Sequence, residues 1–258
     1  MEGCFKFLTQ IMLKHSAMEK VIFNADVGEE AGFDQQIMPY ISWCNIACGM
    51  HAGSEQEILK TIELALNNKV KIGAHPSYPD RDNFGRKSMK LPYDDLVNTL
   101  CDQIMLVESK TKELGGVLHH IKPHGALYND AYHDEKIATA IIEGVSRMNS
   151  NLCLVAQYGS KLSQLAQKKI KVYYEAFADR NYTDQLTLVP RSEKNAVLSD
   201  PKAVFDHVFR MIKDASVKTS SGNIKTLPFD TICVHGDNPR SVEILKYVNQ
   251  ECAKLGIL

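Results

Sequence analysis

The sequence lacks several features that would assign it to a common functional class. Its 30 lysines and arginines are balanced by 31 aspartates and glutamates, so no strongly basic surface for nucleic acid is expected. It has no run of about 18 apolar residues, which argues against a transmembrane helix. Its seven cysteines form no CxxC pair. Their odd number and scattered positions favour reduced thiols in a cytoplasmic protein over disulfides or a cysteine metal site.

The N-terminal 20 residues are expected to form an extension with no part in the chemistry. Polar residues between Lys6 and Lys14 interrupt its apolar positions, and its first seventeen residues contain no arginine. These features argue against a secretory signal and against a mitochondrial transit peptide. No linker, repeat or low-complexity tract follows, so we predict a single domain over residues 21–258.

From Val21 onward, short β-rich runs alternate with longer helical patterns. The predicted strands are 21–26, 42–48, 70–75, 117–124, 151–157, 171–177 and 230–236, and the predicted helices are 54–69, 92–115, 134–148, 160–168, 200–214 and 239–255. Ser54 and Glu57 form a capping-box signature at the first of these helices. The alternation predicts parallel strands joined by right-handed crossovers, either closed into a barrel or left as an open sheet. Two further stretches, LTLVPRS and VKTSSGNIKTL, are candidates for extra strands, the second as a hairpin.

Ionisable residues are concentrated where the predicted strands end. Asp26 closes the first strand, His51 follows the second, and His75, His124 and His235 lie at the ends of later ones. The carboxyl ends of parallel strands in α/β barrels converge on one mouth, where active sites are built. Histidines hydrogen-bonded in ordinary turns would not be expected to share this placement. The pattern therefore favours a functional site.

The fourth strand, LHHIKPHG, adds a prediction about side-chain direction. The two-residue period places His120, Lys122 and His124 on one face, and His119 and Ile121 on the other, toward the helices. Like charges this close disfavour protonation. At least one imidazole is therefore expected to be neutral and available as a base.

Two loops carry arginines suited to binding a carboxylate. HPSYPDRDNFGR contains Arg81 and Arg86, and FADRNY contains Asp179 and Arg180. A guanidinium group can bind a carboxylate through two parallel hydrogen bonds. Either pair could equally form structural salt bridges.

The turn NADVGEE adds a pair of carboxylates, Asp26 and Glu29. Paired carboxylates can act as acid and base or hold a metal ion. Turn chemistry alone also explains an aspartate close to a glycine.

Six blocks of the sequence resemble the signature segments of the LamB/YcsF lactam-utilisation family. They are NADVGE, CNIACGMHAG, IGAHPSYPDRDNFGR, HIKPHGALYN, EAFADRNY and DTICVHGD, and the similarity runs from about Val21 to the C terminus. The resemblance implies an irregular seven-stranded β/α barrel of the glycoside hydrolase/deacetylase type. It also implies a 5-oxoprolinase activity, the ATP-dependent opening of 5-oxoproline to L-glutamate, with separate B and C subunits.

The reaction needs several chemical groups, and the sequence can be searched for residues that would supply them. A five-membered lactam is an unstrained amide, so its hydrolysis needs an activated carbonyl, an activated water and a protonated leaving nitrogen. The chain has no GxxxxGK[ST] loop and no set of kinase motifs, so ATP is expected to bind mainly through the partner subunits. Asp26 or a histidine would act as base, another histidine as acid, and Lys122 with loop amides would face the developing oxyanion.

These considerations give a set of candidate site residues. The expected catalytic residues are Asp26, His51, His75, Lys122 and His124, and the expected substrate-binding residues are Asn24, Glu29, Asn45, Arg81, Arg86, His120, Glu175, Asp179, Arg180, His235 and Asp237. One alternative is a metal-dependent deacetylase of a carbohydrate-like substrate. Its divalent metal would be held by Asp26 and two of the three histidines 51, 75 and 124, with His51 and His124 preferred. The other alternative is a non-catalytic subunit that binds a small acid.

Overall fold

Seven parallel strands close into a barrel in the computed structural model, which describes residues 20–148 and 151–258. Together with the two strands of a separate small sheet, they are β1 (Phe23–Val27), β2 (Trp43–Ala47), β3 (Lys71–His75), β4 (Leu118–Ile121), β5 (Cys153–Gln157), β6 (Val172–Phe177), β7 (Ser216–Lys218), β8 (Ile224–Thr226) and β9 (Thr231–Cys233). All except β7 and β8 belong to the barrel, which β9 closes by pairing with both β6 and β1. The seven-stranded β/α barrel expected from the sequence is confirmed. Residues 1–19 of the predicted N-terminal extension lie outside the described residues.

Helices connect the strands. They are α1 (Asp34–Ile37), α2 (Glu55–Asn67), α3 (Tyr93–Glu113), α4 (Gly125–His133), α5 (Glu135–Ser146), α6 (Lys161–Ala166), α7 (Pro201–Asp214) and α8 (Ser241–Lys254). Ser54 caps α2 as predicted, because its hydroxyl accepts a hydrogen bond from the backbone nitrogen of Glu57 at 3.2 Å. Within the described residues, no helix is both long and apolar enough to cross a membrane.

Two strand predictions need correction. The fourth strand ends at Ile121 instead of residue 124, because Pro123 has no N–H group to continue the ladder. LTLVPRS forms no strand and makes only an isolated bridge, between Tyr182 and Leu188. The carbonyl group of Val189 instead accepts a hydrogen bond from the Arg180 guanidinium group. The predicted hairpin in VKTSSGNIKTL is confirmed as β7 and β8.

The inside of the barrel is unusually polar. Asn24 and Asn45 point inward from β1 and β2, where the Asn45 amide donates to Asn24 Oδ1 and to Asp26 Oδ1, both at 2.8 Å. The Asn24 amide donates to Thr231 Oγ1 at 2.9 Å. These buried polar groups satisfy one another. They form a rigid floor beneath the carboxyl ends of the strands.

The predicted direction of His119 is wrong. Ile72 pairs with Leu118 and Gly73 pairs with His120, so His119 is an extra residue that forms a bulge in β4. Its ring packs against that of Trp43, with centroids 4.8 Å apart, at the amino-terminal end of the barrel. The bulge interrupts the strict alternation of side chains on which the prediction depended.

The close packing of the His120 ring against Gly73 can be tested by mutation. A Cβ atom at Gly73 would lie 2.2–2.6 Å from ring atoms of His120. We expect Gly73→Ala to lower the free energy of unfolding by about 1–3 kcal/mol, because the buried His120 ring has no room to move. Chemical denaturation of Gly73→Ala, His120→Ala and the double variant measures this. If the clash is responsible, Gly73→Ala will cost little in the His120→Ala background, whereas additive losses would contradict this explanation.

Candidate active site

A cavity of about 460 Å³ opens at the carboxyl ends of the barrel strands. Seven of the predicted site residues line it: Asp26, His75, Arg86, Lys122, His124, Arg180 and His235. Tyr128, Gln157 and Arg191 also line it, although the sequence did not identify them. The structure thus brings together polar side chains from both halves of the chain.

Lys122 lies at the base of this cavity and is only 2% exposed. Its Nζ atom is 2.9 Å from Asp26 Oδ1 and 2.9 Å from Glu175 Oε1. Burial would lower the pKa of Lys122, but the adjacent negative charges, with Asp26 first, outweigh burial and raise this pKa well above its usual value. Lys122 is therefore a fixed ammonium group and not a free base.

Asp26 is held in its ionised form. Its Oδ1 atom accepts hydrogen bonds from Lys122 and Asn45, and its Oδ2 atom lies 3.4 Å from His75 Nε2. Burial would raise the pKa of Asp26, but His75 and Lys122 hold it well below its usual value. Oδ2 is thus the carboxylate oxygen directed toward the histidines.

His75 and His124 form a pair whose tautomers are set by backbone carbonyl groups. His75 Nδ1 is 2.6 Å from the carbonyl oxygen of Lys122, and His124 Nε2 is 2.9 Å from that of Phe84. A carbonyl oxygen only accepts hydrogen bonds, so these two ring nitrogens must carry the protons. The remaining nitrogens, His75 Nε2 and His124 Nδ1, face each other at 3.0 Å.

His51 and Glu29 lie directly behind this pair. The His51 ring stacks on that of His124, with centroids 3.8 Å apart and planes within 4°. His51 Nε2 is 3.3 Å from Glu29 Oε1, which lies 3.4 Å from His124 Nδ1. Burial is the main reason that the pKa of His51 lies well below its usual value. Burial and the charge of Asp26 raise the pKa of Glu29 well above its usual value.

The glycines around His51 allow this close packing. Gly53 has a φ of +82°, and a Cβ atom there would lie 2.8 Å from the carbonyl oxygen of Gly28. Only glycine combines this conformation with so close a backbone approach. The loop after β2 can therefore lie directly against the Asp26–Glu29 turn.

Several predicted residues support the site without lining the cavity. Arg81 donates to the carbonyl oxygens of Gly49 and Gly53 at 3.0 and 2.9 Å, which holds the loop that carries His51. His120 lies deeper in the barrel, with Nε2 2.8 Å from Asn45 Oδ1. It belongs with Asn24 and Asn45 to the polar floor described above.

The Asp179 and Arg180 pair acts differently from a simple carboxylate anchor. Asp179 Oδ1 is 2.8 Å from His235 Nδ1, so this carboxylate orients the His235 ring. The guanidinium group of Arg180 donates to the carbonyl oxygens of Val189 and Ala196 at 2.6 and 3.2 Å. Arg180 therefore fixes the loop that carries Arg191 as well as lining the cavity.

Tyr128 and Arg191 are two of the cavity residues that the sequence did not reveal. The Tyr128 hydroxyl donates to Glu175 Oε2 at 2.9 Å. Arg191 Nη2 lies 3.7 Å from Asp237 Oδ1, and the other oxygen of Asp237 binds Arg86. Tyr128 follows His124 by one helical turn in α4, a helix that was not predicted. Arg191 lies in LTLVPRS, the stretch predicted to be a strand.

A metal ion could be held beside the histidine pair. Glu29, His75 and His124 each offer one ligand atom, and these atoms lie within 4.8 Å of one another. Asp26 and His51, which the sequence suggested as ligands together with His124, are the immediate neighbours of this cluster.

Comparisons with known proteins agree with this geometry. The chain is 41% identical over 244 residues to the A subunit of 5-oxoprolinase from Pyrococcus abyssi, covering 92% of this chain and 96% of that protein. It is 39% identical over 238 residues to the A subunit of 5-oxoprolinase from Haemophilus influenzae strain PittEE, covering 92% and 97%. The crystal structure of a lactam utilization protein from Thermus thermophilus matches with a TM-score of 0.86 and 35% identity, covering 92% and 98%. The LamB/YcsF family model matches residues 21–258. The chain therefore belongs to the LamB/YcsF family.

Proposed function

We propose that this chain hydrolyses the ring amide of 5-oxoproline to give L-glutamate, as the A subunit of an ATP-dependent 5-oxoprolinase. The observation that carries the proposal is the cavity that combines the Asp26–Lys122 ion pair, the His75–His124 pair and three arginines. The relatives are named as A subunits of 5-oxoprolinase, which supports the choice of substrate.

The cavity offers separate groups for the two proton transfers that the reaction needs. Water adds to the carbonyl carbon, the C–N bond breaks, and the ring nitrogen gains a proton to become the amine of glutamate. Asp26 or a member of the His75–His124 pair takes the proton from water. His235, oriented by Asp179 at 2.8 Å, is placed to protonate the leaving nitrogen. Each transfer is worth about 10²- to 10⁴-fold in rate.

The charges of the cavity fit an acidic lactam. The fixed Lys122 ammonium group can stabilise negative charge on the carbonyl oxygen, an effect worth about 3 kcal/mol for a well-placed donor. Arg86 and Arg191 share Asp237 and line the cavity. Either guanidinium group can exchange part of this contact for the carboxylate of 5-oxoproline.

Metal-dependent deacetylation is a second candidate, because the Glu29, His75 and His124 cluster offers ligand atoms for an ion that would activate water. The arginines of the cavity favour the acidic lactam, since an acetylated sugar has no carboxylate for them to bind.

ATP coupling is expected to need the B and C subunits as partners. The sequence has no GxxxxGK[ST] motif. The amide is unstrained, so the acid, base and oxyanion contributions above are too small without activation of the carbonyl group.

We expect the purified chain alone to release no glutamate from 5-oxoproline above background, with or without ATP. Adding the partner subunits should produce ATP-dependent turnover, because they supply the activation that this chain lacks. Glutamate release and ADP formation, measured for the chain alone, the partners alone and the mixture, check this. ATP-coupled turnover by the chain alone would refute the assignment of ATP to the partners.

Replacing His124 tests whether the His75–His124 pair takes part in the reaction. We expect His124→Ala to reduce turnover in the reconstituted complex by at least about a hundredfold, because it removes one of the paired imidazoles. His119→Ala is the matched control from the same segment. It removes packing against Trp43 at the opposite end of the barrel, so it should cost roughly 1 kcal/mol of stability and leave turnover largely intact.

Turnover and thermal unfolding are measured for both variants. Equal turnover in the two variants would place the chemistry elsewhere. It would also favour a protein that only binds a small acid.

A further inference from the structure

The His75–His124 pair is arranged so that two lone pairs converge. The carbonyl oxygens of Lys122 and Phe84 bind the far nitrogens of the two rings, which commits those nitrogens as donors. In their neutral forms, both rings then present unprotonated nitrogens to each other at 3.0 Å. Two lone pairs this close repel each other unless a positive charge lies beside them.

Glu29 adds a carboxyl oxygen to the same point, and an ion bound there would displace any proton that this group carries. Its Oε1 atom is 3.4 Å from His124 Nδ1, and one ligand atom from each of the three residues lies within 4.8 Å of the others. Zinc–ligand bonds of about 2.0–2.1 Å imply a spacing of roughly 3.3 Å between ligand atoms of a tetrahedral site. The two short distances in the cluster, 3.0 and 3.4 Å, lie on either side of this spacing.

The surroundings of the cluster resemble the support that metal ligands require. Histidine ligands usually donate their other N–H group to a carbonyl or carboxylate oxygen, which fixes the ring, and both rings do so here. His51 Nε2 lies 3.3 Å from Glu29 Oε1 and restrains that carboxyl group in turn.

We propose that His75 Nε2, His124 Nδ1 and Glu29 Oε1 bind one divalent transition-metal ion of the zinc type at the wall of the cavity. Two imidazoles and a carboxylate suit zinc, cobalt or nickel better than magnesium or calcium, which prefer oxygen ligands. Such an ion acts as a Lewis acid on water or a carbonyl group. Metal binding can be measured without substrate, so the proposal does not depend on the lactam assignment.

Titration of the purified, chelator-treated chain with Co²⁺ or Zn²⁺ tests the proposal. We expect one equivalent to bind by calorimetry and by elemental analysis after gel filtration, to raise the melting temperature and, for Co²⁺, to give the visible absorption of a low-symmetry site. The loss of a residue that only orients a metal ligand typically weakens metal binding about 10- to 100-fold. His75→Ala and His124→Ala should each weaken metal binding by more than this. Glu29→Gln, which preserves the shape of the side chain, should weaken it at least about tenfold.

His133→Ala is the matched control, because His133 lines the same cavity outside the cluster. It should bind metal like the unmodified chain. Circular dichroism shows whether each variant is folded. If an alanine variant is unfolded, the metal binding of Glu29→Gln decides whether the proposal holds.

The absence of stoichiometric binding would overturn the proposal, because a proton shared between His75 and His124 would then neutralise the two lone pairs. Metal binding that is as strong in Glu29→Gln and in the histidine variants as in the unmodified chain would overturn the proposal as well.

Discussion

The buried ammonium group of Lys122 is the interaction on which the rest of the site depends. It joins Asp26 at the end of β1 to Glu175 in β6, across the interior of the barrel. Removing one partner of a buried ion pair typically costs about 3–5 kcal/mol, because the other charge is left without compensation. Here the loss of Lys122 would leave two buried carboxylates unpaired. The arrangement therefore fixes both the charge and the position of Asp26.

The other groups of the site lie on two sides of this ion pair. On one side, Asp26 faces the His75–His124 pair, which is braced by His51 and Glu29. On the other side, Tyr128 holds the second oxygen of Glu175, and Asp179 orients His235. Arg86 and Arg191, whose side chains are 40% and 35% exposed, also line the cavity. In the proposed reaction, this separation would place proton acceptors, a proton donor and an anion anchor around the ring amide of the substrate.

Much of this site follows from the sequence because one rule of barrel geometry governs it. His75 and His124 could be assigned to the site because the carboxyl ends of parallel strands converge, whatever the details of the loops. The direction of His119 could not, because its bulge is a local irregularity of the pairing between β3 and β4, beside the ring of His120. Strand alternation carries no information about such an irregularity.

Other features depend on contacts between distant parts of the chain. Arg191 reaches the cavity because Arg180 binds the backbone of its loop, and that contact leaves no local pattern. The sequence therefore offered this stretch only as a candidate for an extra strand. Glu29 joins the histidine pair because Gly28 and Gly53 allow two loops to pack together. The sequence suggested Asp26 with two of His51, His75 and His124 as candidate metal ligands, whereas the fold brings Glu29, His75 and His124 together.

A crystal structure of the protein with 5-oxoproline bound tests the central claim most directly. The account predicts that the ligand lies in the cavity at the carboxyl ends of the strands, with its carboxylate on Arg86 or Arg191. Its ring carbonyl group should then lie beside Asp26 and the His75–His124 pair, and its ring nitrogen toward His235. The opposite end of the barrel has a groove lined by Lys171, Tyr173 and Phe209. Binding of 5-oxoproline in that groove, with the cavity left empty, would contradict the account.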